Sequence, residues 1–263
     1  MSDLQHTARL ALACLDLTSL NDDDSQASIN ALAAKAADPA LAGATPAALC
    51  VWPRFVAQAK ALAPAGVAVA AVANFPDGST DVERAVADTR AIVAAGGDEV
   101  DLVLPWRALA AGDEAAAAAV VQAVRAACPG QRLKLILESG ELEQLPGGLD
   151  RVARASRLGL DAGVDFLKTS TGKTPHGATP GAARAMLAAI AAHPRGAAVG
   201  FKASGGIRTV ADAGVYIALQ RELLGEAALT PQRLRFGASG LLGDILRVLS
   251  GQGAGNTAAP GTY

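Results

Sequence analysis

Two lysines occupy positions where an ammonium is costly. Lys168 ends the run Val164-Asp165-Phe166-Leu167-Lys168, which reads as a short buried strand between the turn residue Gly163 and the polar Thr169-Ser170-Thr171. Strand side chains alternate between faces, so Lys168 shares its face with Val164 and Phe166. Lys202 ends a second such run, Ala198 to Lys202. Burying an ammonium is strongly unfavourable unless it is paired or neutralised, so each lysine is either ion-paired or used as an amine. Other strand-like runs carry Asp16 and Thr18, Cys50, Asp101 and Glu138 at or near their C-terminal ends. Two lysines and one or two carboxylates converging on one cavity suit a particular chemistry. An ordinary lysine has a pKa of about 10.4, so an amine largely neutral at pH 7 needs a shift of roughly three units, about 4 kcal/mol. Burial and a second ammonium nearby both push that way. The neutral amine can then attack an aldehyde or ketone to give a Schiff base, with Asp101 relaying protons through water. Two blander readings stand beside this one: a strand-end lysine that snorkels to water, and a buried Lys-Asp-Lys network that only holds the core open.

A second theme is anion binding. Thr169-Ser170-Thr171-Gly172-Lys173 offers hydroxyls, backbone N–H groups and a further cation in one turn. Lys202-Ala203-Ser204-Gly205-Gly206 and Phe236-Gly237-Ala238-Ser239-Gly240 are Gly/Ser turns that enter helices, a place where backbone amides hold phosphate. Each pair of glycines is weak evidence, because turns need glycine anyway. Three such turns together point to a phosphomonoester substrate. No GxSxG elbow, Walker loop or GxGxxG follows a strand, so hydrolase, NTPase and dinucleotide readings lack support.

The elements that must carry these residues alternate. Strand candidates end at Leu15–Thr18 and cover Ala47–Val51, Val67–Val72, Glu99–Val103, Leu133–Glu138, Val164–Lys168, Ala198–Lys202 and Leu234–Gly237. Ala-rich helical segments fill the gaps: Asp81–Ala95 behind Thr80-Asp81, Asp113–Ala127, Asp150–Ala162, and one opened by Thr179-Pro180. Asn21-Asp22-Asp23-Asp24 reads as a helix-entry turn or a solvated acidic turn. Eight strands at intervals of roughly thirty residues, none reading as an edge, fit a closed (β/α)8 TIM barrel; the alternative is a doubly wound open sheet with fewer strands. The expected organisation is α/β, with one barrel domain over residues 1–250 and a flexible Gly/Ala/Pro-rich C-terminal tail over 251–263.

Composition narrows the partners. Of 263 residues, 51% are hydrophobic and 18% charged, enough for a large core and against disorder. A net charge of −2 provides no basic footprint, so nucleic acid and anionic membranes are not expected partners. Three cysteines without CxxC spacing and three scattered histidines suggest a reducing, cytoplasmic compartment and no dedicated metal site. No signal peptide and no membrane-length apolar run are present in the sequence.

The motifs LDLTSLNDDD (15–24), EVDLVLPWRAL (99–109), DFLKTSTGK (165–173), GFKASGGIRT (200–209) and RFGASGLL (235–242) together resemble the deoxyribose-phosphate aldolase family, and the resemblance runs from near Leu10 to Leu249 and on to Tyr263. It implies a class I aldolase, free of metal and cofactor. Such an enzyme reversibly cleaves 2-deoxy-D-ribose 5-phosphate to D-glyceraldehyde 3-phosphate and acetaldehyde in deoxynucleoside catabolism. Lys168 would form the Schiff base, Lys202 would depress its pKa and Asp101 would handle protons. Thr171, Gly172, Lys173, Gly205, Gly206, Gly237 and Ser239 would form the phosphate side of the site, and Asp16, Thr18 and Cys50 the sugar or acetaldehyde side. Tyr263 would match a C-terminal tyrosine that assists proton transfer. Gly240 stands where some relatives carry a second serine, which puts phosphate affinity in question. The resemblance also implies a homodimer. Other readings are a class I aldolase with a different acceptor and a sugar-phosphate binder without catalysis.

Overall fold

The computed structural model describes residues 3–251 and places eight strands in chain order: β1 (Leu15–Thr18), β2 (Ala48–Val51), β3 (Ala68–Ala73), β4 (Glu99–Val103), β5 (Arg132–Ile136), β6 (Phe166–Lys168), β7 (Gly200–Ser204) and β8 (Leu234–Ala238). All pairings are parallel, and β8 returns to β1, so the sheet closes into a barrel without an edge. The expected flexible tail and Tyr263 lie outside the described residues.

Both faces of such a sheet are covered, one by helices and one by the barrel's own interior. A polar residue within a strand therefore cannot reach water sideways. In β5, Leu133 and Leu135 take the face toward the helices, which forces Lys134 inward; in β4, Val100 and Leu102 do the same for Glu99 and Asp101. Register then sets neighbours. Lys134 stands opposite Asp101, Lys168 opposite Lys202, and Lys202 opposite Arg235. The apolar outer faces pack on Ala-rich helices, and each fully buried Leu, Ile or Val contributes roughly 1.5–3 kcal/mol.

The helices begin where side-chain oxygens can satisfy free backbone amides. Asp81 accepts from Arg84 N before Val82–Ala94, Asp113 from Ala116 N before Glu114–Ala127, and Thr179 from Ala182 N before Pro180–Ala192. The helix expected to start at Asp150 starts two residues earlier, at Gly148, after Gly147 in a left-handed conformation. The acidic turn is closed from within: Asp24 accepts from Asn21 N and from Ser19, while Ser25 caps the following helix. No helix among the described residues is long and apolar enough to cross a membrane.

Six of the strands differ from expectation by one or two residues at an end, and in β5 and β7 the difference matters. β7 runs Gly200–Ser204, not Ala198–Lys202, because a 3-10 turn over Gly196–Ala198 delays its start. Lys202 is thus in the middle of its strand and deep in the barrel. Glu138 has left β5 and takes a left-handed backbone, φ 53°, before the short helix Ser139–Glu143.

Candidate active site

The barrel interior holds a connected set of charges. Asp101 is its centre. Its Oδ1 accepts from Lys134 Nζ at 2.7 Å, and its Oδ2 accepts from both Lys168 Nζ and Lys202 Nζ at 2.8 Å. Lys202 also donates to Asp16 Oδ2 at 2.5 Å, and Arg235 reaches Asp16 Oδ1 at 2.5 Å and Glu99 Oε1 at 3.0 Å. Lys134 completes the circuit to Glu99 Oε2 at 2.5 Å. Below them Arg132 meets Glu99, and the Phe166 ring lies within 6 Å of the Arg132 and Arg235 guanidinium groups.

Burial acts on these groups with opposite results. Desolvation pushes Lys168 down; Asp101 opposes this, the Lys202 ammonium adds to it, and Lys168 ends below its ordinary value. Lys202 meets the same desolvation, but Asp101 and Asp16 together outweigh it and hold it well above its ordinary value. Lys134 is likewise raised, with Asp101 and Glu99 overcoming burial. Burial would raise Asp101, yet Lys134, Lys168 and Lys202 hold it well below the usual carboxylate range. Of the three lysines, Lys168 alone is shifted toward the neutral amine.

Close approach is built into the backbone. At Gly237 a Cβ would lie 2.8 Å from Ser204 Cβ and 3.0 Å from Lys202 Cε; at Gly200 one would lie 2.3 Å from the Phe166 ring. Gly237 therefore leaves room for the Lys202 side chain beside its neighbour strand. The strand ends above are stitched together: Thr169 Oγ1 donates to Ser204 O at 2.8 Å, and Ser204 Oγ donates to Ser170 O at 2.7 Å. Ala178 N donates to Gly205 O, tying the loop after β6 to the loop after β7.

Glu138 braces the first of these loops. It accepts from Thr171 Oγ1 at 2.6 Å and Thr171 N at 3.2 Å, and burial raises its pKa despite those bonds. Gly172, Gly205 and Gly206 all have positive φ, and nothing stands within 4 Å of a Cβ placed on Gly206. Lys173 Nζ lies 3.4 Å from the exposed Asp22, and Ser239 is exposed just ahead of the helix Leu241–Leu249.

The expected residues thus fall into two groups. Asp16, Asp101, Lys168 and Lys202 share one network, and Cys50 Sγ is 4.0 Å from Asp101 Oδ2. Cys50 is fully buried, and burial raises its thiol, which suits a small core residue rather than a reactive one. Thr18 is also buried and donates to Asp16 O at 2.8 Å. Thr171, Gly172, Lys173, Gly205, Gly206 and Ser239 belong to the loops above, whereas Gly237 sits against Lys202. Sequence reasoning missed Lys134, Glu99 and Arg235. Their signal was the alternation of charge with apolar residues in EVDLV and RLKLI, and the single Arg235 inside the otherwise apolar LRFGA.

A family model described as DeoC/LacD family aldolase matches residues 10–240. Among solved structures, a Coccidioides immitis chain provisionally named a deoxyribose-phosphate aldolase is 26% identical, with a TM-score of 0.76; the match covers 90% of this chain and 85% of that one. A Toxoplasma gondii ME49 chain of the same provisional name has a TM-score of 0.82 at 24% identity, covering 94% and 98% respectively. The tetrameric deoxyribose phosphate aldolase of Aeropyrum pernix follows at 0.68 and 22%, covering 94% and 97%.

Proposed function

The chain belongs to the DeoC/LacD family of aldolases, and from that premise we propose that it is a class I aldolase that cleaves 2-deoxy-D-ribose 5-phosphate through a Schiff base on Lys168. The observation that carries this reading is the contrast between Lys168, shifted toward the neutral amine, and Lys202, held as an ammonium across the same carboxylate oxygen.

The chemistry follows from that contrast. The Lys168 amine adds to the C1 aldehyde of the open-chain sugar, and loss of water from the carbinolamine gives a protonated imine. The C3 hydroxyl gives up its proton, the C2–C3 bond breaks, and its electron pair moves into the imine to form an enamine. Glyceraldehyde 3-phosphate leaves. Protonation at C2 and addition of water then release acetaldehyde and the free amine. Asp101 serves these proton transfers through water. When Lys168 is neutral, Oδ2 faces one ammonium rather than two, so its affinity for a proton rises. Lys202 keeps its charge throughout and disfavours a second ammonium at Lys168.

Thr171, Gly172, Lys173, Gly205, Gly206 and Ser239 would receive the 5-phosphate at the mouth, through backbone amides, hydroxyls and the Lys173 ammonium. Asp16, Thr18 and Cys50 would line the end nearer the reacting carbons. Neither a metal nor a cofactor takes part in the proposed scheme. The test is product analysis: purified protein given deoxyribose 5-phosphate should release acetaldehyde and glyceraldehyde 3-phosphate in equal amounts, with or without EDTA. Acetaldehyde release that stops with EDTA, or no release at all, would reject the reading.

The catabolic setting, a cytoplasmic location and a homodimer go with the same resemblance. The Aeropyrum neighbour is described as tetrameric. Light scattering should give about twice the chain mass of 26.3 kDa, and four times that mass would replace the dimer.

A further inference from the structure

The charges inside the barrel do not balance if every group is ionised. Three carboxylates (Asp16, Glu99, Asp101) face four basic groups (Lys134, Lys168, Lys202, Arg235), and all seven are 3% exposed or less. Arginine does not give up its proton. An uncompensated charge at that depth is strongly unfavourable, so the cluster is most stable when one lysine is neutral. Geometry decides which. Lys134 touches Asp101 and Glu99 and lies 3.5 Å from Asp16, while Lys202 touches Asp101 and Asp16, so each has at least two carboxylates. Lys168 meets Asp101 Oδ2 and shares that oxygen with Lys202.

We propose that Lys134 is a positioning residue: by occupying Oδ1 of Asp101 it confines Lys168 and Lys202 to Oδ2, so that the surplus base of the buried cluster is the amine of Lys168. This rests on the functional reading for its purpose but not for its test. Lys134 acts on Lys168 through Asp101, with Glu99 fixing Lys134 from below and Arg235 fixing Glu99 and Asp16. Without Lys134, both carboxylate oxygens become available and the cluster loses its surplus charge, so Lys168 keeps its proton to higher pH. Without the Glu99 charge the surplus grows, and Lys168 gives up its proton at lower pH. The groups acting directly on Lys168 are Asp101 on β4, Lys202 on β7 and Cys50 on β2; behind them in the network stand Asp16 on β1, Lys134 on β5 and Arg235 on β8. Cys50 stays neutral under burial, and Lys134 and Lys202 hold their protons more tightly than ordinary lysines, so Lys168 is the lysine of the cluster that gives up its proton most readily.

Competitive acetylation with trace acetic anhydride across pH, read lysine by lysine by peptide mass spectrometry, measures this on the full chain. In Lys134→Met the midpoint for Lys168 should move up in pH and its labelling at neutral pH should fall several-fold. In Glu99→Gln it should move down. In the double variant, which removes one charge of each sign, it should return toward the parent value. Should Lys134→Met not fold, Glu99→Gln carries the sign test alone. Midpoints that stay put, or move the same way in both single variants, would overturn the proposal. The functional reading fails separately: a Lys168 whose midpoint moves as described but which forms no adduct with acetaldehyde would sink the aldolase and leave the charge argument standing.

Discussion

At the scale of single residues, the site turns on which amine can be neutral. Lys168 and Lys202 sit opposite each other across β6 and β7 and share one oxygen, yet their proton affinities are driven apart by what lies beyond. Lys202→Met should therefore act in two ways. Removing the second ammonium lets Lys168 hold its proton to higher pH, so the optimum for cleavage shifts upward while the rate at neutral pH falls, by about a hundredfold or more if proton transfer is also impaired. It also takes away the 2.5 Å donor to Asp16 Oδ2, and leaving that buried acceptor short of a partner should cost roughly 1–3 kcal/mol in denaturant titration. An unchanged pH profile would refute the role assigned to Lys202. Both lysines were legible in the sequence because each ends an apolar run. Lys134 was not, because RLKLI reads equally as a strand with one wet face. Only closure of the barrel removes that option.

Elements bring these side chains together through register and through absence of bulk. Strand positions were legible from short apolar runs flanked by turn residues. Strand ends were less so, since pairing with a neighbour sets them: the 3-10 turn at Gly196–Ala198 moved β7 by two residues and placed Lys202 mid-strand. Glycine carries part of the design here. Gly237→Ala would press a methyl against Ser204 and Lys202, so it should lower stability by about 1–3 kcal/mol and reduce activity together. Wild-type melting and turnover in that variant would show that β7 and β8 have more room than their geometry implies. Glu138, outside the barrel proper, holds the 171–173 loop by two bonds to Thr171. Glu138→Ala should raise KM for deoxyribose 5-phosphate more than it lowers kcat, because it releases the loop proposed for the phosphate and leaves the amine in place. A change confined to kcat would argue against that assignment.

For the whole molecule, the closed sheet makes the core a place where seven ionisable groups must satisfy one another. Asp16, Glu99 and Asp101 bind protons less readily in the barrel than in the unfolded chain, each against the pull of burial because of the neighbouring cations. Their stabilisation is complete above the ordinary carboxylate values of 3.8–4.5 and is lost as pH falls through the lower folded values. Thermal melts should accordingly be flat near neutrality and drop steeply in acid, and a melting temperature independent of pH down to acid conditions would contradict the buried network. The measurement closest to the central claim is reductive trapping. Acetaldehyde with borohydride should add one ethyl group per chain, mapped by peptide mass to Lys168 and missing in Lys168→Arg. An adduct on Lys202 or on surface lysines, or no adduct, would contradict the account of this barrel as a Schiff-base aldolase acting through Lys168.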